Sequence, residues 1–318
     1  MPRSLLSLGS INADFQVRVD EAPGRAEWLA GRDLRRLCGG KAANVAVQAR
    51  RLGHEARLFG RIGDDDLAEQ VLGPLRASGV DLRGVRQRHG DGTSVAMVIV
   101  PPDGRKRIVA ANRANLDFDE ADIEAVERGI AAAEAGSVLV VDYEITPRAV
   151  SRAIAAARER GLRVVIDPSL PGAVDRTDLA RATALTPNES EALALTGIKG
   201  NGPDAILDAA HALARRGPSL VCIKLDDGGC LLLHEKSAWH QRAAPVEVVD
   251  TTGAGDAFTA AFAVALLEEQ PPLQSAAFAV AASEIAVGGY GAQTAYPDRE
   301  RLEVQLRSAR RSLTRWGH

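Results

Sequence analysis

The sequence predicts an α/β fold, a parallel sheet covered by helices. Two observations predict it. From residue 137 onward, strand-length apolar runs alternate with helical runs: 138–141, a helix over 147–160, then 163–166. Nearer the C-terminus, a turn of small residues, 250–256, separates the apolar run 246–249 from a helical run, 257–267, that is apolar on every side. A strand, a turn and a buried helix are expected to meet there. A third observation adds a second, smaller sheet. Residues 93–100 and 105–110 flank Pro101, Pro102, Asp103 and Gly104, a hairpin signature.

Taken in order, residues 4–8 read as a buried first strand. Residues 9–14 leave it as a polar loop in which Asn12 and Asp14 are offset by two, so on extended chain their side chains point the same way. A turn would use the same residue types. Residues 15–20 and part of the stretch after Trp28 alternate apolar with polar, as half-exposed strands do. Gly39 and Gly40 open a helix to about Leu52. Lys41 and Asn44 lie one turn apart on it and can reach the same point, and the glycine pair lets a ligand approach the backbone. Residues 56–61 read as a strand and 64–77 as an acid-started helix.

Glu144 falls just past a strand's C-terminal end, where ligands of α/β sheets bind, although a solvated loop carboxylate would look the same. Asn188 and Glu191 have the spacing of a capping box. Lys224 ends the first arm of an apparent hairpin, 220–225 and 230–233, whose turn holds Asp226, Asp227, Gly228 and Gly229. A small-residue helix over 274–287 is broken by the glycines of 288–291, and a charged helix from Asp298 to about Leu313 closes the chain.

The turn at 250–256 carries the clearest chemistry. Gly253, Ala254 and Gly255 have little or no side chain, so their amides can close around an anion, and a helix N-terminus adds unsatisfied N–H groups and partial positive charge. Asp256, at or near the N-cap, can accept a proton beside that anion. An ordinary capped helix would also favour Asp there.

Composition excludes other classes. A formal net charge of −3 gives no reason to expect nucleic acid or an acidic membrane, and 4% aromatic residues leaves no platform for stacking bases. No apolar run approaches the roughly 20 residues of a membrane span. Three cysteines without zinc or redox spacing fit a reduced, cytoplasmic protein. Gly40 and Lys41 do not make a P-loop, because Arg35 and Ala42 stand at its defining positions. The dinucleotide fingerprint is missing as well, which argues against a dehydrogenase.

Residues 250–258, with residues 39–44 and 9–14, resemble the signatures of the ribokinase-like (PfkB) carbohydrate kinases, and the weaker motifs follow in the same order. The resemblance implies a three-layer α/β/α domain over 1–14, 37–92 and 113–318, with a small β-sheet lid over 15–36 and 93–112 that often forms a dimer contact. It implies transfer of a phosphoryl group from ATP to a sugar hydroxyl. Asp256 would be the base, with Gly253, Ala254 and Gly255 as the anion hole. Asn12, Asp14, Gly40, Lys41, Asn44 and Glu144 would hold the sugar. Asn188 and Glu191 would organise magnesium and phosphate, with Lys224 and Gly229 beside the nucleotide. Potassium would be held by Asp250, Thr252, Ala286, Gly289 and Gly291, although Ala295 stands where such kinases often offer a serine. Ribose is the leading acceptor. Fructose, 2-keto-3-deoxygluconate or a nucleoside are alternatives, and a sugar-binding regulator without catalysis is another. Three departures bear on this. Asp226 stands where a glycine is usual near the nucleotide, and alanines at 68 and 260 replace usual glycines.

Overall fold

A computed structural model describes residues 2–24, 28–308 and 312–316. Fourteen strands are described: β1 (Leu5–Leu8), β2 (Asn12–Val19), β3 (Gly31–Gly39), β4 (Ala56–Gly63), β5 (Asp81–Arg88), β6 (Ser94–Val100), β7 (Arg107–Ala111), β8 (Val138–Asp142), β9 (Arg163–Asp167), β10 (Ala184–Leu185), β11 (Leu220–Lys224), β12 (Cys230–His234), β13 (Ser237–Gln241) and β14 (Leu313–Arg315). The helices are α1 (Lys41–Arg51), α2 (Leu67–Ala77), α3 (Glu120–Ala131), α4 (Pro147–Glu159), α5 (Arg176–Arg181), α6 (Glu189–Thr196), α7 (Pro203–Ala214), α8 (Ala254–Leu267), α9 (Pro272–Val287), α10 (Ala292–Ala295) and α11 (Arg299–Ser308).

Ten strands form one sheet in the order β14-β13-β12-β11-β10-β9-β8-β1-β4-β5. From β5 to β11 every pairing is parallel; β12, β13 and β14 add antiparallel strands at one edge. The central strands β1, β8 and β9 are nearly all apolar and buried, as a sheet covered on both faces requires. Two apolar cores flank the sheet. One packs α1, α8 and α9 against it, and the other packs α3, α4 and α7. The chain is therefore layered helix, sheet, helix. The second sheet has four strands, β3-β2-β6-β7. Its β2 runs directly out of the loop after β1, so the polar segment at Asn12 and Asp14 is strand, not loop.

Three other sequence expectations change. Residues 246–249 join no sheet. The amides of Val249 and Asp250 both donate to Val287 O, and Val246 and Val248 are exposed along a cavity wall. Gly253 caps α8, in the left-handed region at φ 74°, and Asp256, the third helical residue, sits near that cap as expected. The helix expected over 64–77 starts at Leu67. The closing helix ends at Ser308, and Leu313 lies instead in β14, paired with β13. That helix was expected to cross residues 309–311, and the lid interval includes 25–27; both lie outside the described residues. Strands β5, β10 and β13 and helices α3 and α7 carried no expectation. Among the described residues no helix is long and apolar enough to cross a membrane.

Candidate active site

Every candidate for acceptor, nucleotide and catalysis opens into one cavity of about 800 Å³ above the C-terminal ends of the parallel strands. That is the size of a small-molecule site. It lies between the two sheets, lined by Asn12 and Asp14 from β2, Ala96, Val98 and Ile108 from the hairpin, and the turn at 251–256.

Helix α8 begins without any side-chain cap, so its first turn leaves amides for a ligand. Asp256, only 7% exposed, is held at that turn from both sides. Lys41 Nζ donates to Oδ1 at 3.2 Å and Asn44 Nδ2 to Oδ2 at 2.7 Å. The other face of the Asn44 amide accepts from Gln293 Nε2 at 3.0 Å. Asn44, expected at the sugar, therefore has both ends of its amide committed, and it orients Asp256.

Lys41 also reaches Asp167 Oδ1 at 3.2 Å. Burial works against the lysine's charge, but Asp167, Asp256, Glu144 and Glu191 outweigh it, and its pKa lies well above the ordinary value. Lys224 Nζ donates to Asp167 Oδ2 at 3.0 Å. Burial alone would raise the Asp167 pKa; Lys224 and Lys41 hold it down at about 2. Asp167 thus ties together two lysines that reach the site from α1 and β11. Its sequence signal was slight, an aspartate ending a strand before Pro168.

On the acceptor side, Asn12 Oδ1 accepts from Asn115 Nδ2 at 2.8 Å, which fixes the amide. Asn115 was not anticipated either. Asp14 is buried and its Oδ1 has no hydrogen-bond partner among the described residues. Burial, then the nearby Asp256 and Glu144 charges, push its pKa up to about 8. The carboxylate sits so close to β3 that a Cβ at Gly39 would lie 2.0 Å from it, which explains the first glycine of the pair. Gly40 caps α1 at φ 92°, where any side chain is strained. Glu144 accepts from Ser10 Oγ at 2.8 Å; burial raises its pKa against the pull of Lys41.

Asn188 and Glu191 form the expected capping box, each side chain bonding the other's backbone amide at 2.8 Å. Both line the cavity, as do Lys224, Asp226 and Gly229. Asp226 is exposed, and its amide donates to Glu189 Oε1.

Lys106 immediately precedes β7. It reaches the anion turn itself, donating to Thr251 O at 3.1 Å, while Thr251 N and Oγ1 both donate to Gly104 O at 3.0 Å. Burial lowers its pKa. The hairpin is thereby pinned to the turn that starts α8.

Asp250 is fully buried. Its Oδ1 accepts from Thr252 N at 2.8 Å and Thr252 Oγ1 at 2.6 Å; its Oδ2 accepts from Gly291 N at 2.9 Å and Gln16 Nε2 at 2.5 Å. Its amide donates to Val287 O, in the segment that also holds Ala286, at the end of α9, and Gly289, in the following loop. A carboxylate offers about four acceptor positions. All four are filled, so the Asp250 carboxylate, one of the five expected ligands, offers potassium no free acceptor position.

A family model described as pfkB family carbohydrate kinase matches residues 2–299. The chain belongs to the pfkB family of carbohydrate kinases. This kinase is therefore a phosphotransferase with an alcohol group as acceptor. It is 30% identical over 300 residues to a ribokinase of Haemophilus influenzae, covering 94% of this chain and 97% of that one. A deoxyribokinase of Salmonella typhi is 27% identical, over 94% and 97% of the two chains. Arabidopsis thaliana ribokinase, solved with ribose and ATP, superposes with a TM-score of 0.84 at 29% identity, covering 97% of this chain and all of that one. The ribokinase-like fold and the sugar kinase activity follow from these likenesses.

Proposed function

We propose that this pfkB kinase transfers the γ-phosphoryl group of ATP to a hydroxyl of ribose. One observation carries the reading. Asp256 is held between Lys41 and Asn44 at an uncapped helix start, in the same cavity as the Asn12 and Asp14 pair.

Each residue then has a task. Asp14 and Glu144 accept hydrogen bonds from the sugar hydroxyls, and Asn12, its oxygen taken by Asn115, donates through Nδ2, with Gly39 and Gly40 allowing close approach. Asp256 takes the proton of the attacking hydroxyl as the new bond to phosphorus forms. Amides of the 253–256 turn stabilise charge on the group in transfer. Lys106 adds a cation over the same turn and Lys224 one beneath it; a Cβ at Gly255 would lie 3.6 Å from Lys224 Nζ. Asn188 and Glu191 would hold magnesium through water. They fit that task because Glu191 is a partly buried cavity carboxylate with one oxygen committed to the Asn188 amide. Bound with the nucleotide, magnesium supplies charge neutralisation at the phosphates. Potassium is left out, because Asp250 has no acceptor position free.

The four-stranded sheet serves as the lid, over about 15–36 and 93–112, and excludes water when pinned through Gly104 and Lys106. Met97 and Val109 are cross-strand partners on its outer side and are 57% and 66% exposed. A thin sheet cannot cover that face itself, so two lids pair across a two-fold axis in a homodimer.

The test is an ATP-dependent phosphorylation screen over ribose, deoxyribose, fructose, 2-keto-3-deoxygluconate and nucleosides. Ribose is expected to give the highest kcat/KM. A higher value for any other acceptor overturns the assignment of ribose, and ATP binding without transfer to any would favour a regulator.

A further inference from the structure

Gln16 has no role in the reading above, yet it is the most unusual polar residue near the site. It is a fully buried glutamine in the middle of β2, and it reaches across 234 positions of sequence to Asp250. Three of the four donors on Asp250 come from Thr252 and Gly291, the segments that flank the carboxylate in any case. Gln16 Nε2 is the fourth, and the one supplied from the other sheet. The amide can face the carboxylate only through its nitrogen, since the flipped amide would set oxygen against oxygen. Among the described residues Gln16 Oε1 has no hydrogen-bond partner, so its one side-chain hydrogen bond there is the one to Asp250.

The same face of β2 carries positive charge to this loop. Arg18, two residues on, lays its guanidinium 4.1 Å from the centre of the Tyr290 ring, and Arg35 of β3 lies 4.5 Å from it. Tyr290 sits between Gly289 and Gly291, in the loop whose Gly291 amide binds Asp250. A neutral donor on the carboxylate and two guanidiniums on the adjoining ring are therefore built into the chain.

We propose that the Gln16 amide takes the place of a monovalent cation beside Asp250, so that this kinase does not depend on potassium. A buried carboxylate needs its acceptor positions filled or its charge countered. Gln16 completes the first requirement, and Arg18 and Arg35 lie nearby for the second. An ion binding at Oδ2 would have to displace Gln16 and leave a buried amide with no partner at all. The proposal rests on reading 250–256 as the phosphate-binding turn.

The test compares wild type, Gln16→Leu and Gln16→Glu in potassium chloride and in tetramethylammonium chloride at equal ionic strength, with magnesium fixed. Two quantities are measured: kcat for ribose phosphorylation, and Tm with no substrate present. The Tm arm stands whatever the acceptor proves to be, so a wrong sugar and a wrong cation assignment are told apart. Wild type is expected to show the same kcat and Tm in both salts. Gln16→Leu opens an acceptor position on Asp250. In tetramethylammonium its kcat is expected to fall roughly 10- to 100-fold, the cost of one hydrogen bond to a buried charge. Potassium should restore most of that loss and raise the Tm. Gln16→Glu sets a second carboxylate against Asp250 and should require potassium for its Tm more strongly still. If Gln16→Leu does not fold, wild type and Gln16→Glu decide. Potassium activation of wild type, or a potassium-specific rise in its Tm, overturns the proposal. So do variants that match wild type in both salts.

Discussion

The raised pKa of Asp14 makes a quantitative prediction about sugar binding. Without sugar, burial and the charges of Asp256 and Glu144 keep this carboxyl protonated up to about pH 8. A protonated carboxyl has lost acceptor capacity, and an ionised one can accept from two hydroxyls. If only the ionised form grips ribose, the apparent Kd is multiplied by one plus the ratio of protonated to ionised Asp14. For a pKa of about 8, affinity weakens about fivefold from pH 8 to pH 7 and about fiftyfold from pH 8 to pH 6. The sign for stability is the opposite. The folded pKa lies above the unfolded one, so neutral Asp14 contributes stability that is fully present below pH 3.8 and lost as pH rises through about 8. Ribose should therefore raise the Tm more at pH 8 than at pH 6. Isothermal titration calorimetry of ribose at pH 6, 7 and 8 measures the first effect directly. Asp14→Asn should bind about 10-fold or more weakly at pH 8, the loss of charge-assisted hydrogen bonds, with a flat pH profile. A flat profile in wild type, or an unchanged one in Asp14→Asn, would refute the reasoning.

Three further outcomes are expected. Asp256→Asn should fold and bind ribose but transfer phosphate at least ~10²-fold more slowly, the low end for a general base; near-normal turnover in rapid-quench assays would remove that role. Lys106→Met should lower kcat by about 10-fold or more while leaving ribose Kd nearly unchanged, because the lysine faces the phosphate turn; a loss confined to ribose Kd would place it at the acceptor instead. Analytical ultracentrifugation at micromolar concentration should give a dimer for wild type and a monomer for Val109→Asp; a monomeric wild type would leave the outer lid face without a partner.

The parts of this protein written in the sequence are those made by neighbours along the chain. Strand–helix alternation shows in residues four to fifteen apart and announced the parallel sheet. Gly253, Ala254 and Gly255 leave the backbone open at the start of α8, and Asn188 and Glu191 already carry the spacing of the capping box that they form. The two-residue offset of Asn12 and Asp14 held although they lie in β2 and not in a loop. Tertiary structure decided what depends on distant partners. Residues 246–249 have a strand's composition but join no sheet, because Val246 and Val248 are used to line the cavity and the amide of Val249 is taken by Val287. Strand β5 is mostly charged and polar, and it is a strand because the edge of β4 offers it hydrogen bonds. Lys41 meets Asp256 across 215 positions, Asp167 joins Lys41 to Lys224, and Lys106 crosses 145 to Thr251. Gln16 is the extreme case. On a strand that alternates apolar and polar it reads as a solvent-facing residue, and only folding turns that face inward onto a buried carboxylate. A side chain's chemistry is local, but burial and the choice of partner are set by which surfaces the whole chain brings together.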